Sequence, residues 1–267
     1  MADSNIADVL FNRFAKLHHA INLRDFSAYC HRRALLSRGE LSKTTSEFTA
    51  FYSDTTDKER GLWERVFGNL QDFGFYFWAA PGCTPNAYGP ITLVFCREAW
   101  RQIDDITVTR KNAATRDFDL ATDKMPMDEL ASCFERNKKN YWQLNCNGLE
   151  VSLGTSFLSL DFVEQVIVEP VFSDFVDKVR DVWTSSGFEG VLVVPRTLRN
   201  NCVPEERRKV FAELVNWSAS FAGNVPISTD LKNAVPSNLK EWANQLRDSQ
   251  WAPLRQWLEY TYKGTLK

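Results

Sequence analysis

Apolar residues at Ile6, Val9, Leu10, Phe14 and Leu17 recur at helical spacing and predict a short amphipathic helix over residues 5 to 16. The adjacent pair His18-His19 follows at the start of a strand, and helical spacing resumes through Leu23, Phe26 and Cys30 over residues 23 to 34. Leu35 and Leu36 then read as a buried extended turn, and residues 42 to 56, rich in Ser, Thr and Asp, as an exposed loop. Aromatic density over Phe73 to Trp78 predicts a buried strand, followed by strands at Ile91 to Cys96 and Ile106 to Thr109 with a short helix, Arg97 to Ile103, between them. Residues 127 to 142 read as a helix with Asp128 and Glu129 in its first turn, where carboxylates suit the helix dipole, and residues 145 to 156 as a mobile loop. A strand over Val163 to Val168, a helix over Phe172 to Trp183 and a last strand over Val191 to Pro195 complete the pattern.

Short strands and helices mixed without a regular βαβ repeat predict an α+β fold. No GxGxxG or GxxxxGK sequence occurs, which removes the usual dinucleotide-fold and P-loop readings. After residue 199 the chain reads as helical, with Trp217, Trp242, Trp251 and Trp257 as anchors and Pro226, Pro236 and Pro253 as breaks. The expected division is a core domain over 1–198 and a helical C-terminal extension over 199–267 packed on it.

Composition bounds the chemistry. With 267 residues, 44% of them hydrophobic, the chain can bury a full core. No apolar run has the ~18 residues a membrane span needs, and MADSNIADVL lacks the basic and apolar regions of a secretory signal, so the expected location is the cytoplasm, with no membrane partner. Six scattered cysteines without a CxxC pair, and three histidines, assemble no zinc spacing; the expectation is reduced thiols and no metal. A net charge of -2 and a pI of 6.0 exclude an obligate non-specific nucleic-acid binder but leave room for a small basic groove. Short basic clusters stand at Arg32-Arg33, Lys138-Lys139 and Arg207-Arg208-Lys209.

Among single residues, Glu164 stands out at the head of an apolar strand directly after a glycine-containing segment, rigid on one side and reachable on the other. Asp161 and Glu169 are rivals for that role. A neutral His19 offers a hydrogen bond to a sugar or amide, and Arg60, in Asp57-Lys58-Glu59-Arg60, offers a planar fork for phosphate or carboxylate. Each also has a plain structural alternative: a solvated strand-edge acid, a half-buried histidine and an exposed helix arginine.

Three blocks, in order, resemble the DarT-like ADP-ribosyltransferase toxins over residues 15 to 195. The first is His19 with Asn22-Leu23 and Leu35-Leu36-Ser37-Arg38-Gly39-Glu40-Leu41; the second is Arg60 ahead of Asp72-Phe73-Gly74-Phe75-Tyr76-Phe77; the third is Glu164-Gln165-Val166-Ile167-Val168. Departures from the family pattern are Ile21 where a threonine near the histidine is usual, Gly74 where the aromatic strand has proline, a choice between His18 and His19, and a choice between Arg60 and Arg65. The resemblance implies an ADP-ribosyltransferase-like core of mixed, mainly antiparallel strands, with NAD as substrate. It implies Glu164 and Arg60 as catalytic residues and His19, Asn22 and Tyr76 as NAD-binding residues. It also implies a single-stranded DNA or messenger RNA acceptor chosen by the segment 145 to 162, and a toxin-antitoxin role in phage defence with an antitoxin partner. A protein acceptor, or a non-catalytic binding module of this fold, are the alternatives.

Overall fold

A computed structural model describes residues 5–44, 54–75, 86, 88–113, 115, 117–146, 148–169 and 175–196. The first helix, α1 (Ile6–Asn12), starts at a capping box in which Asn5 and Asp8 each accept the other's backbone N–H. It stops short of residue 16 because Phe14 turns left-handed, with φ 55°, and the Ala15 N–H closes back on the Leu10 carbonyl. Then follow β1 (Leu17–Ile21), α2 (Leu23–Arg32), β2 (Ala34–Leu36), α3 (Arg38–Thr44), α4 (Asp54–Glu59), β3 (Val66–Asn69) and β4 (Ile91–Phe95). A 3-10 turn (Arg97–Gln102), β5 (Ile106–Thr109), α5 (Leu120–Asp123), α6 (Met127–Ser132) and the hairpin β6 (Phe134–Arg136) and β7 (Trp142–Leu144) come next. The described chain ends with β8 (Glu150–Leu153), β9 (Phe157–Ser159), β10 (Val163–Val168), α7 (Phe175–Ser185) and β11 (Leu192–Pro195).

Seven strands form one sheet in the order β11-β10-β4-β1-β3-β8-β5, all antiparallel except β10 with β11, so the mixed α+β expectation holds. Strand β1 is central: all five of its residues pair with β4, whereas with β3 it pairs only at His18 and Asn69. Leu17, Ile21, Leu93, Phe95, Val166 and Val168 share one face through the register and are buried in the main core. Helices α2 and α7 meet through the stacked rings of Phe26 and Trp183, and Trp183 stacks in turn on Phe188.

The pattern reading fails in three places. The described part of the aromatic run, Phe73–Phe75, is a helical turn closed by Phe75 N–H on the Asp72 carbonyl, and the strand in that region is the less apolar Val66–Asn69. The helix expected over 127 to 142 ends at Ser132, because a disulfide between Cys133 and Cys146, with Cα atoms 5.7 Å apart, ties the hairpin β6–β7 across it. That bond also corrects the expectation of reduced thiols throughout; Cys30 and Cys96 are free. The glycine-containing segment expected as a mobile loop holds β8, whose four residues are buried between β3 and β5. The C-terminal extension, with its tryptophans, lies outside the described residues.

Gly89 illustrates why this chain packs so closely at the end of β1. It adopts φ +140°, and an added Cβ would lie 2.2 Å from the Ile21 carbonyl carbon. Gly89→Ala is expected to cost about 3 kcal/mol and lower Tm by several degrees, since strain and overlap with backbone add. Gly190→Ala, in open space, is the control, expected to change stability by no more than about 0.5 kcal/mol in a denaturant melt.

Candidate active site

Period-two alternation sends the two adjacent histidines to opposite faces of β1. His19 lies in the row Leu93–Val166 and His18 in the row Val94–Gln165.

On the His19 face, the ring Nδ1 lies 2.6 Å from the Phe67 carbonyl oxygen, so Nδ1 carries the proton and donates, leaving Nε2 as an acceptor. Burial is the main cause that pulls the His19 pKa down to about 4, the Phe67 bond opposes it, and the nearby Arg38 guanidinium adds to the lowering. Tyr29 of α2 stands with its ring 6.2 Å away. Arg38 belongs to the Leu-Leu-Ser-Arg turn. Leu35 and Leu36 are buried in β2, and Ser37 Oγ accepts the Glu40 N–H at 3.1 Å, which starts α3. The Arg38 guanidinium donates to the buried Asp25 carboxylate at 3.3 Å. Asn22 is the buried N-cap residue of α2, its carbonyl accepting the Phe26 N–H while its side chain takes no part in the cap. The first sequence block therefore assembles around one strand, with Arg38 as the cation that sequence reasoning left without a role.

The His18 face holds the carboxylate. A β-bulge between Val163 and Gln165 pushes Glu164 out of the ladder between β10 and β4, and its side chain, 35% exposed, forms an ion pair with Lys16, the residue preceding β1. Lys16 also acts on His18, whose pKa is lowered chiefly by burial, with Asp72 and a backbone hydrogen bond at Asn69 opposing and Lys16 and Arg196 assisting. Among the described residues His18 Nδ1 has no hydrogen-bond partner. Glu164 thus shares a face with His18, and the expected partner His19 points the other way.

The rival carboxylates are engaged elsewhere. Asp161 pairs with Arg33 at 3.0 Å on the surface. Glu169 is buried and accepts from Arg196 Nε at 2.7 Å, while the same guanidinium grips Asp72; this fork joins the ends of β10 and β11 to the residues after β3. Gly74 is required beside it, since an added Cβ would lie 2.2 Å from Arg196 Nη2.

Neither candidate arginine of the second block joins Glu164. Arg60 donates to the carbonyls of Ala113 and Thr115 and lies 5.6 Å from the Phe118 ring. Arg65 bonds Asp105 at 2.7 Å and Ser152 at 2.6 Å, beside β8 and β5, while Glu164 is on β10 at the other flank of the sheet. Tyr76 lies outside the described residues. Among those residues no three His, Cys, Asp or Glu side chains gather to hold a metal ion, and no helix is long and apolar enough to cross a membrane.

The chain is similar to DarT. The structure of Thermus sp. 2.9 DarT with ADP-ribosylated single-stranded DNA matches at 12% identity and TM-score 0.44, covering 71% of this chain and 96% of that one. The same protein with carba-NAD+ matches with TM-score 0.41 and with NAD+ with TM-score 0.40, each at 12% identity over 71% of this chain and 98% of that one. No family model and no curated protein matches.

The His19 pKa carries a pH dependence. Below pH 6.5 the unfolded chain takes up a proton that the folded chain refuses until about 4, so the contribution of up to about 3 kcal/mol is complete above 6.5 and lost as pH falls through 4. His19→Asn, which can still donate to Phe67, should make the fall in Tm between those pH values shallower; an unchanged slope would contradict the assignment.

Proposed function

We propose that the protein is an NAD-dependent ADP-ribosyltransferase that transfers ADP-ribose to a base in single-stranded DNA or messenger RNA, as a toxin of a phage-defence pair held in check by an antitoxin. The observation that carries this reading is an accessible carboxylate, Glu164, bulged from a strand and sharing a sheet face with a histidine, His18.

The chemistry follows from charge. Breaking the bond between nicotinamide and ribose builds positive charge on the ribose carbon, and a carboxylate on the neighbouring hydroxyl stabilises that charge as it develops. Glu164 does this, and its second oxygen receives the proton that the attacking base nitrogen loses. A neutral imidazole accepts from a ribose hydroxyl where a protonated one cannot, so the lowered pKa of His18 suits it to orient the sugar beside Glu164. His19, Asn22 and Arg38 lie on the opposite, core-facing side of β1, where His19 is bonded to Phe67 and Arg38 to Asp25; they hold the strand and α2 in place, and the dinucleotide is bound on the His18 face. Lys16 pairs with the carboxylate and orients it until substrate takes its place.

NAD+ and single-stranded DNA are the first pair to test. Incubated with labelled NAD+ and single-stranded DNA or RNA, the full chain should label the nucleic acid, and Glu164→Gln should slow transfer by about 10²- to 10³-fold at unchanged Tm. Label on protein alone replaces the acceptor, and NAD+ left uncleaved makes the fold a binding module.

A further inference from the structure

Around the end of α1 the chain stacks arginines on aromatic rings. The Arg101 guanidinium lies 3.6 Å from the centroid of Phe11, and Arg97 covers Phe11 at 4.6 Å and Phe14 at 4.2 Å. On the next side Arg13 covers Trp142 of β7 at 3.7 Å, and Arg136 of β6 approaches the same ring at 5.5 Å. The two groups adjoin at consecutive residues, Arg13 and Phe14, where α1 ends, and so link the hairpin β6–β7 to the 3-10 turn. Arg97 pairs with Glu98 at 3.0 Å, but Arg13, Arg101 and Arg136 have no carboxylate partner among the described residues.

This surface runs into the candidate active site. Lys16, two residues past Phe14, holds Glu164, and the Cys96 N–H beside Arg97 donates to the Phe162 carbonyl at 2.9 Å. Phe14 is 47% exposed and sits in the left-handed region at φ 55°, where glycine is the usual residue, and Tyr141 beside Trp142 is 58% exposed. A stacked guanidinium turns its edge N–H groups outward, the geometry that meets phosphate oxygens, while exposed rings offer faces to unpaired bases.

We propose that this arginine–aromatic surface is the docking track for a single-stranded polynucleotide, whose backbone runs along Arg136, Arg13 and Arg101 and delivers a base to Glu164. The proposal rests on the transferase reading for the role of Glu164 only; the binding it describes needs neither NAD+ nor turnover. It also accounts for an acidic protein acting on a polyanion: the positive charge is local, and the net charge of -2 reflects the rest of the chain.

The test is fluorescence anisotropy of a labelled single-stranded deoxythymidine 12-mer with the full chain, without NAD+, across a salt series. Arg13→Glu with Arg101→Glu should weaken binding at least about tenfold and reduce the slope of log K against log salt by about 1.4, the value for two lost phosphate contacts. Lys178→Glu with Arg180→Glu on α7, the same change in net charge elsewhere, should leave affinity within about twofold. Phe14→Gly suits the local backbone and changes no charge; it should weaken binding about fivefold or more without lowering Tm. No binding by the unaltered chain, or equal losses in both double variants, overturns the proposal. So does loss of binding to phosphatidylserine vesicles in Arg13→Glu/Arg101→Glu with oligonucleotide affinity intact, which would make the surface a membrane contact. If NAD+ is never cleaved but the 12-mer results hold, the docking track stands and the transferase reading falls.

Discussion

The ladder between β1 and β4 is the constraint on which the rest depends. Five consecutive pairs hold β1 straight against β4, and β4 carries the bulged β10 on its other edge, so the position of Glu164 relative to the histidines is fixed by backbone hydrogen bonds two strands deep. Gly89 allows the chain entering β4 to press against Ile21, and the buried Arg196 fork secures the far ends of β10 and β11. Burying that fork is costly unless its charges are matched; burial pushes the Glu169 carboxyl up to about 8, so below that pH the guanidinium's charge is answered by Asp72 while Glu169 accepts a hydrogen bond in its neutral form. The scaffold therefore sets the site rigidly on one edge and leaves Glu164 accessible on the other.

Alternation along β1 gives the histidine pair two separate environments. His19 faces α2 and Arg38, and its single strong bond to Phe67 bridges the junction where β1 and β3 share just one register pair. His18 faces the polar side with Lys16 and Glu164. Both are pushed towards the neutral form by burial, one beside a cation from the Ser37-capped turn and the other beside the lysine that holds the carboxylate.

The parts legible in the sequence are those whose signal is local. Leu23–Arg32 shows helical spacing, Val163–Val168 and Ile91–Phe95 are apolar runs of strand length, and Glu164 stands out because a charged residue there breaks such a run. The failures have non-local causes. The strand Val66–Asn69 is short and carries a glycine, so only its partners β1 and β8 make it a strand, while the aromatic Phe73–Phe75 turns because Gly74 must press against the Arg196 fork. The apolar spacing over 127 to 142 conceals a hairpin held by Cys133 and Cys146, thirteen residues apart, and β8 lies hidden in a glycine-containing stretch. At the site, spacing could suggest a histidine and an arginine but could not choose between neighbours. Register separates His18 from His19, and Arg38 rather than Arg60 stands near His19, at the start of the helix α3 that Ser37 caps.

The central claim is that Glu164, two strands from β1, grips the reacting ribose of NAD+. It is tested most directly by a crystal structure of the full chain carrying Glu164→Gln, soaked with NAD+ at millimolar concentration. The account predicts the nicotinamide ribose beside residue 164, one of its hydroxyls within hydrogen-bond distance of the new amide and Lys16 swung away from it. NAD+ ordered at a site that leaves residue 164 and Lys16 in contact, or no NAD+ bound, would contradict it.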